Sequence, residues 1–231
     1  MHEGAIASLY SKCEAQRSSY LERARDSSRI TIPTIIPEDT TSPSRKFPTP
    51  YQSVGARGVN NLSSALLLSL LPPNSPFFRL VLDEAEARKM EELDPAIKTE
   101  VESSLSSIER AVAREIEVNN IRVATFEALR HLIVGGNVLL YFPDDGPMRV
   151  IHLDRYIVKR DPSGNPRTII LKESVAPEML PKEIREQVKG ELPKYQENCD
   201  VYTMQRTLED GKVEVVQEVH GILIEETRQT F

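Results

Sequence analysis

The spacing of apolar residues changes part-way along the chain, and this change predicts the architecture. Up to about residue 136, apolar residues recur every three or four positions, as in helices with one buried face. In the stretch 95–118 they step by four, three, four and four, from Val101 to Ile116. After residue 136 the period becomes two, which is typical of strands. Helices followed by antiparallel strands and hairpins predict an α+β fold.

Four long helices are predicted in the first part of the chain, in addition to a short charged helix over residues 83–91. The four long helices cover residues 4–28, 53–71, 95–118 and 123–135. The second of these has small residues in its first half and leucines in its second half, and Pro72 ends it. A helix that is apolar around most of its circumference is normally buried on several sides. We therefore expect it to be either the helix on which the others pack or a helix wedged between subunits.

The strands are predicted to form hairpins. Residues 77–82 form a short strand, and 138–142 form an apolar, buried strand that pairs across a turn with 149–153. Two further hairpins are predicted at 156–171 and 200–219, because Pro-Ser-Gly-Asn and Glu-Asp-Gly fit tight turns.

The prolines between residues 29 and 50 exclude a helix there. This segment is long for a loop, and long loops are often functional or lie in interfaces. It forms either a strap over its own subunit or an arm on a neighbouring one. We accordingly divide the chain into an N-terminal helix with a proline-rich arm (1–50), a helical part (51–136) and an antiparallel β-rich part (137–231).

Charge and cysteine content limit the possible functions. Acidic residues outnumber basic ones by 35 to 29, giving a net charge of −6, and no basic cluster is evident. This charge balance argues against tight binding of duplex DNA. It is compatible with DNA that moves past the protein without being tightly bound. The two cysteines, Cys13 and Cys199, lack metal or redox spacing and are expected to be reduced thiols. No apolar segment is long enough to predict a membrane span or a targeting peptide.

No catalytic, cofactor-binding or metal-binding constellation is evident. The glycines around Arg57 lack the spacing of a phosphate-binding loop, and the four histidines are scattered. Asp144 and Asp145 resemble a metal-binding pair, but the Gly-Pro that follows them favours a turn. We expect no enzyme activity and no cofactor. A small α+β nuclease that uses these two aspartates is kept as an alternative.

Arg57, Asn60 and Asn61 are the candidate subunit-interface residues. Arg57 stands between two glycines near the start of the leucine-rich helix. A buried arginine requires a partner, because an unpaired buried charge is costly. It either pairs within its own subunit or forms a salt bridge to a neighbour, and the two asparagines either contact another chain or are solvated.

Four sequence blocks resemble the head-to-tail connector, or portal, proteins of short-tailed bacteriophages (podoviruses). The first block has the family's order of Pro-aromatic-Gln, Val-Gly-Ala-Arg-Gly, Asn-Asn-Leu and aromatic-Arg-Leu. The blocks keep the family's order from about residue 5 to residue 205. The residues that carry the resemblance are 50–52, 54–58, 60–62 and 78–80, then 106–110 with 117–123, then 126–129 with 134–141, and finally 156–161 with 164–165.

The resemblance implies a structural protein of the virion. It implies a homo-oligomeric ring, typically of twelve subunits, at one capsid vertex, through which viral double-stranded DNA is packaged and ejected. The implied partners are the major capsid protein, a transient terminase motor and tail adaptor proteins, with assembly in the host cytoplasm and no membrane. The matched blocks belong to the family's N-terminal wing part, and family members are about twice as long. No DNA-contacting residue is assigned, and a tail adaptor or another ring-forming virion protein is the alternative.

Overall fold

A computed structural model describes residues 4–37, 49–73, 76–85, 88, 95–143, 146–182, 184–186 and 198–231. Its helices precede its antiparallel strands, which confirms the α+β prediction. The chain forms two compact units. The sheet unit contains residues 1–26 and 152–231, and the helical unit contains residues 27–151. No helix in the described ranges is long and apolar enough to cross a lipid bilayer.

The sheet unit is built on a five-stranded antiparallel sheet. Its strands lie side by side in chain order, so each connection is a hairpin or a short excursion. Both predicted hairpins are confirmed, and the register of the last pair shifts between Val215 and Gln217. The strands are β3 (Tyr156–Arg160), β4 (Pro166–Val175), β5 (Cys199–Thr207), β6 (Val213–Val219) and β7 (Ile222–Thr230).

Helix α1 (Ala5–Gln16) covers one face of this sheet. Its buried residues Ile6, Tyr10 and Cys13 pack in one cluster with Ile170 and Met204 of the sheet, among others. Side chains alternate between the two faces of a strand, so Cys199 and Val201 point to the opposite face. There they form a second cluster with Leu180, Val219 and Ile224.

The N-terminus of α1 is held by a buried carboxylate. The first amides of a helix have no partner within the helix. The amide of Ile6 donates to Glu218 Oε2 at 2.9 Å and that of Ala7 to Glu218 Oε1 at 3.0 Å. Glu218 lies on β6 and is fully buried. One side chain therefore satisfies two amides and ties the helix to the sheet.

The predicted helix over residues 4–28 is wrong as a single continuous element. The structure has α1 and a second helix, α2 (Ser18–Ile30), separated by Arg17. The buried positions continue across the break, through Leu21, Ala24 and Ser28. The break falls at the one charged residue on this stripe, and no proline or glycine marks it.

The helical unit contains α3 (Val54–Leu70), α4 (Pro95–Val118) and α5 (Ile121–Gly135). α4 and α5 meet at a corner where Asn120 has a φ of 53°. A small hairpin of β1 (Leu139–Tyr141) and β2 (Arg149–Ile151) completes the unit. The prediction that this strand is buried is wrong. Leu140 and Tyr141 of β1 are exposed in a two-stranded sheet.

The strand predicted at 77–82 is also wrong, because residues 76–83 have no regular structure. The backbone amide of Leu80 donates instead to the side chain of Glu109 on α4, at 2.6 Å. Residues 31–37 are likewise irregular, as the prolines predicted. Two other predictions fall outside the described residues. They concern the part of the arm at residues 38–48 and the pair Asp144 and Asp145.

Candidate assembly surface of the helical unit

Helix α3 packs on α5 along one narrow stripe. Val59 and Ser63 are its buried residues, and Ala56 and Leu67 on the same side are half-buried. Gly55 lies on this stripe as well. A Cβ atom at Gly55 would stand 2.8 Å from the carbonyl oxygen at the end of α2, which is closer than Cβ atoms approach other atoms. Glycine at this position therefore allows α3 to pack closely against the end of α2.

Of the two alternatives predicted for α3, the described residues do not support the one in which the other elements of the chain pack around it. Leu62, Leu66, Leu68 and Leu70 are all exposed, Leu68 by 57%. Leu66 and Leu70 lie on roughly the same side of the helix as Val59, yet the described residues leave them exposed. The second half of α3, which is the most apolar part of the sequence, is therefore largely uncovered by the part of the chain that the structure describes.

The C-terminal end of α3 is held by Arg122 at the start of α5. Pro72 prevents the helix from continuing, so the last carbonyl groups need other donors. Arg122 donates to the carbonyl of Leu71 through Nη1 and to that of Pro72 through Nη2, at 2.9 Å. Its Nε also donates to Glu117 at 2.6 Å. This arginine fixes the end of α3 against the α4–α5 corner.

A groove of about 450 Å³ lies next to this corner. Its apolar lining includes Phe77, Phe78 and Ile116, and the arginines Arg110 and Arg114 of α4 also line it. The two phenylalanine rings meet edge to face, with centroids 5.0 Å apart. The irregular segment predicted as a strand therefore forms one wall of an open groove.

The long apolar stripe of α4 is only partly covered. Val101, Leu105 and Ile116 are half-buried, but Ile108 and Val112 remain 49% and 40% exposed. The sequence favoured a helix with this face on a core. The described residues support that interpretation only in part, because they leave Ile108 and Val112 exposed.

Exposed apolar side chains are concentrated in the helical unit. Among the described residues, the large hydrophobic side chains that are exposed lie in this unit, with the exceptions of Met179 and Phe231. Contiguous exposed apolar surface usually marks a protein–protein interface. The distribution is typical of a subunit that other protein chains cover.

The three predicted interface residues are all on the surface of α3. Arg57, Asn60 and Asn61 are exposed. Within the described part of the chain, their side chains make no hydrogen bond or ion pair. Arg57 therefore has no ion-pair partner among the residues that the structure describes. The role of Arg122 could not be predicted from the sequence, because the carbonyl groups that it binds lie about fifty positions earlier.

The exposed apolar faces are typical of surfaces that other polypeptide segments cover. Comparison with known proteins gives the family. The family model for the bacteriophage head to tail connecting protein matches residues 3–219. The chain therefore belongs to this family.

Individual relatives are portal proteins. The chain is 37% identical to the portal protein of Escherichia phage T7, over 99% of this chain and 44% of that protein. It is 36% identical to the portal protein of Enterobacteria phage T3, again over 99% and 44%. With the portal protein of Enterobacteria phage SP6 the identity is 28%, over 94% and 42%. The chain thus spans less than half the length of these relatives.

Proposed function

We propose that this chain is the N-terminal wing part of a portal subunit that assembles into a homo-oligomeric ring. Its membership of the connector family and its similarity to portal proteins support this function. The structural observation that carries it is the concentration of exposed apolar side chains in the helical unit. Such faces are costly in a lone molecule and are stabilising when neighbouring subunits bury them.

In this proposal the ring has twelve subunits and occupies one capsid vertex of the virion. Double-stranded viral DNA passes through it during packaging and ejection, and a separate terminase motor supplies the energy. The major capsid protein and tail adaptor proteins bind the ring, which assembles in the host cytoplasm. A net charge of −6 supports passage of DNA rather than tight binding, because like charges weaken contact with phosphates.

The same proposal assigns no catalysis and no cofactor to this chain. It includes the division of the wing into an arm (1–50), a helical part (51–136) and a β-rich part (137–231). It also places Arg57, Asn60 and Asn61 at the contact between subunits. Their exposure and their lack of side-chain partners within the described chain support that role.

Electron microscopy and native mass spectrometry of the purified chain test this function. We expect closed rings with a central channel and one dominant stoichiometry. A chain that stays monomeric at all concentrations would contradict the proposal.

Two variants at exposed apolar positions provide a matched comparison. Replacing Leu66 and Leu70 together by glutamate is expected to abolish the rings, because charges on an apolar interface must be desolvated. Met179→Glu, on the sheet unit and 80% exposed in the parent chain, is expected to retain them. The opposite pattern would show that the helical unit does not form the contact.

A further inference from the structure

Two helices of the helical unit have faces with the same residue spacing, and the described residues cover one of these faces only in part and leave the other exposed. The first face, here called the α4 seam, consists of Val101, Leu105, Ile108 and Val112. Its members step by four, three and four positions, which places them in one row along the helix. The row is about 16 Å long at 1.5 Å per residue. It is the length and shape that one further helix would cover.

The second face, here called the outer α3 face, consists of Arg57, Asn61, Ser64 and Leu68. These residues also step by four, three and four positions, and all four are exposed. They point away from the side that packs on α5. Two of them are small or short polar side chains, which allow close approach of another helix. The two rows therefore have the same length and the same residue spacing.

The charges beside these rows are complementary. Arg57 is the only charged residue of α3. Glu100 and Glu102 are exposed and flank Val101 at one end of the α4 seam. In the described structure, neither carboxylate makes a hydrogen bond or an ion pair. A cation on one face and two free carboxylates beside the other can therefore meet without breaking any existing contact.

We propose that the outer α3 face of one subunit packs in parallel against the α4 seam of the next subunit. Parallel packing with Arg57 opposite Val101 places Leu68 opposite Val112 and brings the guanidinium between the two free carboxylates. Antiparallel packing would instead place Arg57 near Glu109 and Glu115. The carboxylates of those two residues already accept hydrogen bonds from Leu80 and Asn119. The parallel arrangement is therefore favoured, because in it the guanidinium meets two carboxylates that have no other partner among the described residues.

Because the two faces are different surfaces of the same unit, this contact is head-to-tail. Contacts of this type close into rings when the rotation between subunits permits it, whereas a symmetric contact stops at a dimer. The inference rests on the proposed ring function and adds to it the identity of the two faces in contact and the relative direction of their helices.

Reversal of charge on each face provides the test. One variant carries Arg57→Glu, and a second carries Glu100→Arg with Glu102→Arg. Each variant alone brings like charges together at every contact and is expected to reduce the ring fraction at least about tenfold. Mixed in equal amounts, the two variants restore opposite charges at every contact if they alternate around the ring. Native mass spectrometry should then detect rings that contain equal numbers of both variants.

Arg155→Glu is the matched control, since it makes the same charge change at an exposed position of the sheet unit. It is expected to form rings as the unmodified chain does. Rings formed equally well by the single-face variants, or a mixture that fails to recover rings, would overturn this inference while leaving the proposed function intact. An unmodified chain that forms no rings would overturn both.

Discussion

Removal of the buried carboxylate of Glu218 should strongly destabilise the sheet unit. In Glu218→Ala the amides of Ile6 and Ala7 lose their acceptors, at 2.9 and 3.0 Å, in a site that water does not reach. An unsatisfied buried donor costs about 1–3 kcal/mol, and hydrogen bonds to a charged group lie at the upper end. Loss of the negative charge at a helix N-terminus adds about 0.5–1 kcal/mol. We therefore expect a total of about 3–5 kcal/mol.

Urea unfolding followed by circular dichroism measures this loss. With a slope of about 2 kcal/mol per molar urea, the midpoint should fall by about 2 M. Glu218→Gln retains one acceptor oxygen and should fall between the parent chain and Glu218→Ala. Glu226→Gln on the exposed part of β7 is the control and should change the midpoint little. A loss below about 1 kcal/mol for Glu218→Ala would refute the view that this carboxylate holds α1 in place.

Three further predictions concern packing, helix ends and pH. Gly55→Ala should destabilise the helical unit by about 1–3 kcal/mol in thermal unfolding because its Cβ meets a backbone oxygen. Gly58→Ala on the same helix has nothing within 4 Å and should instead stabilise the unit by about 0.5–1 kcal/mol. Arg122→Met should lower the free energy of unfolding by about 2 kcal/mol in the same assay. Arg114→Met, on the exposed side of α4, should leave it unchanged. Burial raises the pKa of the Tyr10 phenol, so its contribution to stability is complete below about pH 10 and is lost as the pH rises further. Urea midpoints at increasing pH should show this loss, reduced in Tyr10→Phe, and a midpoint that rises in alkali would contradict it.

Elements with local signals could be predicted from the sequence. The turn between β3 and β4 forms as its composition indicates. Gly164 has a φ of 91°, and Asp161 accepts hydrogen bonds from the backbone and side chain of Asn165. These hydrogen bonds, the side-chain one first, hold the pKa of Asp161 below its ordinary value. The end of α4 at Asn119 and Asn120 is equally local, since asparagine adopts positive φ more readily than most residues.

Features that depend on distant residues could not be predicted. The turn between β6 and β7 uses His220 and Gly221, both with positive φ, and a His-Gly pair is not a typical hairpin signal. The carboxylate of Glu218 caps a helix more than two hundred positions earlier. The sequence left open whether the leucines of α3 face an internal core or another chain, because apolar residues in the two settings have the same pattern. Hydrophobic periodicity shows that a face is covered but not which chain covers it.

The order of the two units along the chain has a consequence for biosynthesis. The helical unit is an insertion between the two segments of the sheet unit, so a ribosome completes it first. The N-terminus of α1 acquires its carboxylate partner only after the strands of the sheet have been synthesised. During that interval the nascent polypeptide exposes the apolar face of α1 in addition to the exposed apolar faces of the helical unit. Chaperone capture of translation intermediates should therefore be greatest once residue 151 has emerged and should decline as the last strands appear.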